Sequence, residues 1–334
     1  MIELAAIFFK KIVYLNLNMS LSVLAAIVIT KVFRIRKPGV LFAVWSLAVV
    51  RFLYDFAFQY QRSLVDTLPL PQHGILTIGI YMKERIVKIL FTTLTLNGTV
   101  FSSGDLISSH IGRNMTVFLG ALMILAGAVL LGVKVSKQVR FGKMLAESAY
   151  EAGILGYEGI MVSDMIQTPM VWGILKPKVI IPTSLLCICS DEELKAVINH
   201  EKAHIRRMDH VIFPVLSAIR AFFVTVPVLG YAIGKMEEYT EMICDKKAAA
   251  EIKSGSSLAR ALVKIAEFQV DAGFTGSKVP SAVPGFVSNR KIVERRIDSI
   301  FRMDKPFKPG FVSVLSAILL AVISFLFIFG SNTF

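Results

Sequence analysis

The chain has 334 residues, is 54% hydrophobic and has a mean hydropathy of +0.64, which excludes an ordinary soluble domain and requires membrane spans. Lys and Arg number 37 against 24 Asp and Glu, a formal charge of +13. The basic residues crowd beside the apolar runs and form no compact stripe interleaved with aromatics. They therefore indicate topology control and give no ground for direct nucleic-acid binding.

Four apolar runs have about the ~20 residues that a bilayer core requires. The first covers 12–30 and is interrupted by Asn16 and Asn18; no small-x-small cleavage site ends it, so it is not a signal peptide. The second covers 39–58 and contains Arg51 and Asp55 one turn apart. Charges inside a span mark function or pair internally to lower the cost of burial. Residues 59–114 follow as a loop, and their stretch 74–96 carries Lys83, Glu84, Arg85 and Lys88, which suits an interfacial amphipathic helix. The third run covers 115–133 and the fourth 310–330.

Flanking charges orient the spans. Lys31, Arg34, Arg36 and Lys37 follow the first; Lys134, Lys137, Arg140 and Lys143 follow the third; Arg302, Lys305 and Lys308 precede the fourth. Near the span ends on the other side stand Lys10, Lys11, Arg62 and Arg113. The positive-inside rule then places both termini and an extracellular loop 59–114 outside, and 134–309 in the cytoplasm. The expected fold class is an α-helical membrane protein with four transmembrane helices and an inserted α+β domain.

Within that domain, three of the chain's five histidines fall in VINHEKAHIRRMDH, 197–210. His-Glu-x-x-His on a helix puts His200 and His204 on one face, where both rings reach one cation, with Glu201 beside them. Ser190 and Glu193 form a capping-box pattern that supports the helix. A zinc ion there would polarise a water and a peptide carbonyl, and Glu201 would accept the proton. The alternative is a surface helix with two satisfied histidines. Downstream, Glu241 and Asp245 are spaced i, i+4. They suit a third ligand and a carboxylate that holds a ligand histidine, or else a solvated acidic face. The three cysteines, Cys187, Cys189 and Cys244, give no disulfide framework, and the Cys187–Cys189 spacing does not fit a zinc hook. They read as reduced buried thiols.

Between the two motifs lies a fifth apolar run, 211–234, with Arg220 as its one charge. A straight helix over it would rise about 36 Å and put Glu241 across the membrane from His204. One ion could not then bind both. The run must return, as a proline-broken hairpin or a helix at the membrane face, and Pro214, Pro227 and Gly230 permit this.

Three blocks resemble the BlaR/MecR-type integral-membrane zinc metallopeptidases, the sensor-transducers of beta-lactam resistance. They are SDMIQTPMVWGILKPKVIIP (163–182), SDEELKAVINHEKAHIRRMDH (190–210) and EMICD (241–245). The resemblance implies a gluzincin-like domain with His200, His204 and Glu241 as zinc ligands, Glu201 as general base and Asp245 behind the ligands. It implies an edge strand in Trp172–Pro182, including Trp172, Gly173 and Ile174, where an extended substrate pairs by main chain. It implies a BlaI/MecI-type transcriptional repressor as substrate, a homodimer, and self-cleavage, for which the dibasic Arg295–Arg296 is a candidate. An amphipathic helix with a solvated basic face is the other reading of that pair. The chain ends at Phe334 without room for an outer penicillin-binding domain, and 59–114 holds no Ser-x-x-Lys. The expectation is therefore a family member without that sensor.

The leading function is a membrane zinc endopeptidase in signalling. The alternatives are a receptor that releases a repressor without cutting it and a quality-control protease. Glu201 favours cleavage, since a scaffold needs ligands but no base. Tyr239 and His210 are candidates for stabilising the oxyanion.

Overall fold

The computed structural model describes residues 2–58, 94–96, 99–101, 110–271 and 290–302. The fourth apolar run, 310–330, and most of the loop 59–114 lie outside these residues. Among the described residues three helices are long and apolar enough to cross a membrane, at Lys11–Val32, Pro38–Ala57 and Asn114–Ser148. The chain divides into two units.

One unit holds Met1–Ile27 and Leu47–Ala126, with 306–334. It includes most of α1 (Ile2–Val32) and of α2 (Pro38–Phe58). Asn18, Arg51 and Asp55 are all buried there. Arg51 Nε lies 2.8 Å from both Asp55 oxygens, and Asn18 Nδ2 donates to Asp55 Oδ2 at 3.1 Å. The intramembrane charges thus pair internally, and Asn18, which weakened the first span in the sequence, is their partner. A buried pair of this kind ties two helices in register more than it adds stability. The strands β1 (Leu94–Leu96) and β2 (Thr99–Phe101) form an antiparallel pair. The last three residues of the stretch read as an interfacial helix are therefore extended.

The other unit holds Val28–Ser46 and Gly127–Lys305. Helix α3 (His110–Ser148) does not stop at residue 133 but runs on for four turns. The basic residues after the span are themselves good helix formers and no proline falls among them, so nothing breaks the helix there. Then come β3 (Tyr150–Ile154), β4 (Tyr157–Ser163), β5 (Met170–Trp172) and β6 (Lys178–Pro182), in the order β3-β4-β6-β5. β4 and β6 are parallel and the other pairs antiparallel. Trp172–Pro182 is not one strand. Gly173 has φ +105, a conformation open to glycine, and the chain reverses before Pro177. Trp172 lies in the edge strand β5; Gly173 and Ile174 lie in the turn, and Lys178–Pro182 is an inner strand.

Short α4 (Thr183–Ile188) leads into α5 (Asp191–Arg206). Ile160, Val162, Val179 and Ile181 from the sheet pack on Leu194, Val197 and Ile198 of α5. On the other sheet face Leu145, Phe141 and Trp172 cluster with Met170 and Ile180. α6 (Asp209–Phe222) and α7 (Pro227–Ile252) follow, then α8 (Gly255–Asp271) and α9 (Arg290–Phe301). Ala196, Ala248, Leu258 and Leu262 join α5, α7 and α8, with Val293 and Ile297 of α9 against them.

The capping box is formed. Glu193 N donates to Ser190 Oγ at 3.4 Å, and Ser190 N donates to Glu193 Oε2 at 2.9 Å. Glu193 also receives Lys264 Nζ at 2.7 Å and Arg260 Nε at 3.2 Å, so the start of α5 is pinned to α8. Replacing Glu193 with Ala removes the acidic half of the capping box and both ion pairs to α8, while Ser190 Oγ still accepts from the backbone N of 193. A loss of about 2 kcal/mol is expected, read as a lowered melting temperature of the detergent-solubilised chain.

Candidate metal centre

Helix periodicity on α5 and α7 brings the site together. His200 and His204 share the buried face of α5 that carries Ala196 and Val197, and Glu241 faces them from α7. The run between them is a helix hairpin. α6 ends at Phe222, the chain turns over 223–226, and Pro227 starts α7 at a position that needs no amide donor. Pro214 sits within α6 and Pro227 marks the turn, so the return required by the sequence is made at the second proline.

His200 Nε2 and His204 Nε2 are 3.2 Å apart, and Glu241 oxygens lie 3.4 Å from the first and 3.5 Å from the second. A tetrahedral ion with bonds of about 2 Å has donor–donor edges of about 3.3–3.4 Å. All three residues are buried, and Glu241 Oε1 makes no hydrogen bond among the described residues. A buried carboxylate oxygen without a donor is costly unless a cation meets it. The three side chains fit a metal ion.

Each ligand imidazole is held from behind by an aspartate. His200 Nδ1 lies 2.9 Å from Asp245 Oδ1, and His204 Nδ1 lies 3.0 Å from Asp209 Oδ2. A carboxylate beside Nδ1 favours the proton there, the tautomer that leaves Nε2 for a metal. Each aspartate is in turn held by an arginine. Arg296 Nε and Nη2 both donate to Asp245 at 2.7 Å, and Arg207 Nε donates to Asp209 at 3.1 Å. Asp209 is delivered by Met208, whose φ of +61 makes the tight turn between α5 and α6. A bulky residue held there is strained, which suits a site whose geometry outweighs local preference.

Asp245 stands where its spacing implied. Asp209 and Arg207 were not singled out as site residues from the sequence, and Arg296 was singled out only as part of a candidate cleavage point. The HIRRMDH run contained two of them, but only the left-handed turn at Met208 shows that Asp209 faces back. Arg296 lies 51 residues from Asp245, and no local pattern links them.

Arg296 also corrects the reading of the dibasic pair. Its bond to Arg295 lies within helix α9, and its side chain is 2% exposed against Asp245 and Glu241, so of the pair only Arg295 is solvated. A protease takes its substrate extended, so cutting there requires α9 to unwind.

The charges are strongly coupled. Burial alone would lower the His200 pKa, but hydrogen bonds to Asp245 and Glu241 raise it to about 10. Burial raises Glu241, yet Arg296 and His204 outweigh it and hold the carboxyl down at about 2. Glu201 is 4% exposed; burial raises its pKa against the pull of His200 and His204. A second group, His204, Asp209 and Cys244, also clusters. Burial, with Glu241 and Asp209 nearby, pushes the Cys244 thiol far up. Tyr239 precedes Glu241 by two residues, about 200° round α7. The groups that act on it are Glu238, Tyr231, Arg295 and Trp45, none of them a ligand. Among the described residues His210 Nδ1 is buried without a hydrogen-bond partner.

Removing Arg296 leaves Asp245 buried and unpaired. Arg296→Ala is expected to weaken metal binding about 10- to 100-fold, measured by chelator competition. Arg296→Lys should recover only part of this, because an ammonium cannot grip both carboxylate oxygens.

The family described as BlaR1 peptidase M56 matches residues 10–300. Proteins described as methicillin resistance mecR1 protein, from Staphylococcus aureus and Staphylococcus epidermidis, are 28% identical over 87 residues. That stretch is 26% of this chain and 15% of each of these relatives, so the chain aligns with a small part of their length. The family match covers most of the chain, and the chain belongs to the BlaR1 peptidase M56 family.

Proposed function

We propose that this membrane protein is a zinc endopeptidase that transmits a signal, in the response to beta-lactam antibiotics, by cutting a BlaI/MecI-type transcriptional repressor. The names of the staphylococcal relatives support the antibiotic context, and the donor set of two imidazoles and one carboxylate supports zinc. The flanking charges support a cytoplasmic metal domain, where a repressor is accessible.

The observation that carries the reading is Glu201. It is buried on the metal helix between the two ligand histidines in sequence, and it is not itself one of the clustered ligands. A scaffold has no use for such a group. When bound, zinc supplies Lewis acidity to a water and to the scissile carbonyl. Glu201 accepts the proton of that water and passes it to the leaving amine. Its burial raises its proton affinity, which suits a base that must also act as an acid. Asp245 and Asp209 keep the imidazoles oriented while charge shifts at the centre. Strand β5, with Trp172, is a free sheet edge beside which an extended chain can add by main-chain hydrogen bonds.

The test uses the purified full chain and its Glu201→Gln variant, both loaded with zinc, incubated with a candidate repressor. Fragments from wild type and a loss of at least about 100-fold in the variant are expected, with zinc content unchanged. Equal signalling by wild type and variant in cells would show that the repressor is released without cleavage.

A further inference from the structure

We propose that the α6–α7 hairpin is re-entrant: its turn at 223–226 dips into the acyl region of the leaflet on the side of the basic flanks and seats the metal centre at headgroup level. Either this or a surface-lying helix pair would have met the requirement that the run return.

Two spans contact the hairpin, and both do so well inside their apolar lengths. Gly127 of α3 lies against Phe222 at the end of α6, where a Cβ would collide with the Phe222 carbonyl oxygen. Trp45 of α2 meets Tyr231 of α7 edge to face, with ring centroids 5.5 Å apart. Gly127 lies seven residues before Lys134, and Trp45 eight residues after Lys37. At 1.5 Å per residue both contacts lie about 10–12 Å below the basic residues that mark the membrane boundary. That is about a third of a hydrocarbon core of roughly 30 Å. The two contacts come from different spans, and both hairpin residues lie within about 8 Å of the turn.

The surface of the hairpin suits lipid. Residues 221–234 contain no charge. Val224 at the turn and Tyr231 on α7 are exposed, as are Ile212 and Val215 on α6. The turn keeps its own hydrogen bonds, from Phe223 N to Ile219 O and from Val226 N to Phe223 O, as a backbone in hydrocarbon must. Arg220 of α6, the one charge of the run, lies along Gly230 of α7, and the charges of Arg220 and of Lys134 of α3 act on Glu237 of α7. A single arginine carried on a long apolar stem is tolerated at such a depth.

Glu241 lies one turn beyond Glu237, away from the hairpin tip, about 6 Å further out. The metal centre of the proposed peptidase then sits at the headgroups. The substrate it can take is a polypeptide segment held at the membrane surface, not one buried in the bilayer core.

The test reads depth with nitroxide labels on the zinc-loaded full chain in phosphatidylcholine–phosphatidylglycerol vesicles. Labels are placed through Val224→Cys, Val215→Cys and Leu175→Cys, in a Cys187→Ser, Cys189→Ser background. Collision with oxygen should dominate at position 224 and collision with a water-soluble nickel chelate at 175, a turn residue that is 94% exposed. Position 215, about 10 Å back along α6, should be shallower than 224. Equal shallow depths at 215 and 224, or nickel access at 224 equal to that at 175, would overturn the proposal. Quenching of Val224→Trp fluorescence by lipids brominated in the acyl chain gives the same depth without a label; no quenching beyond wild type overturns it too. Zinc content and Glu201-dependent cleavage are measured separately, so a surface-lying hairpin would leave the peptidase reading intact.

Discussion

Three donor atoms from two helices must lie within about 3.5 Å of one another for one ion to bind, and the chain between those helices is apolar enough to cross a membrane. That conflict organises the unit that holds the metal centre. The run 211–234 turns back at Pro227, and α7 returns antiparallel to present Glu241 to α5. Had the run been a span, the histidines and the glutamate would have faced different compartments.

The convergence is costly, because it buries several charges. The structure meets part of the cost by pairing three of the carboxylates. Asp245 faces Arg296, Asp209 faces Arg207, and Glu241 faces Arg296 as well as both histidines. Such networks contribute little net stability but hold their members in one geometry. Arg296 also makes the centre depend on α9. Through Arg296 that helix is joined to Asp245, and Asp245 to His200.

Much of this was legible in the chain itself. His200, Glu201 and His204 follow from a helical spacing that imposes its own geometry, and Ser190 and Glu193 announce where that helix starts. The hairpin followed from a distance argument, since only a return reconciles the two motifs. What stayed hidden depends on tertiary contact or on strained backbone. Arg296 looked like half of an exposed dibasic pair because helical periodicity cannot say which face is covered. Asp209 needed the left-handed turn at Met208, which a non-glycine residue does not advertise. The strand around Trp172 was placed in the right block but drawn too long, because its Val and Ile content masks the reversal at Gly173.

The most direct test of the account is the identity of the metal and its ligands in the purified full chain. X-ray absorption at the zinc edge, with elemental analysis, reads both. The account predicts one zinc per chain, ligated by two imidazole nitrogens and carboxylate or water oxygen, with no sulfur, and lost on substitution of His200, His204 or Glu241. A sulfur ligand would assign the ion to the cluster of His204, Asp209 and Cys244 and contradict the account. A protein that folds and retains no zinc would contradict it equally.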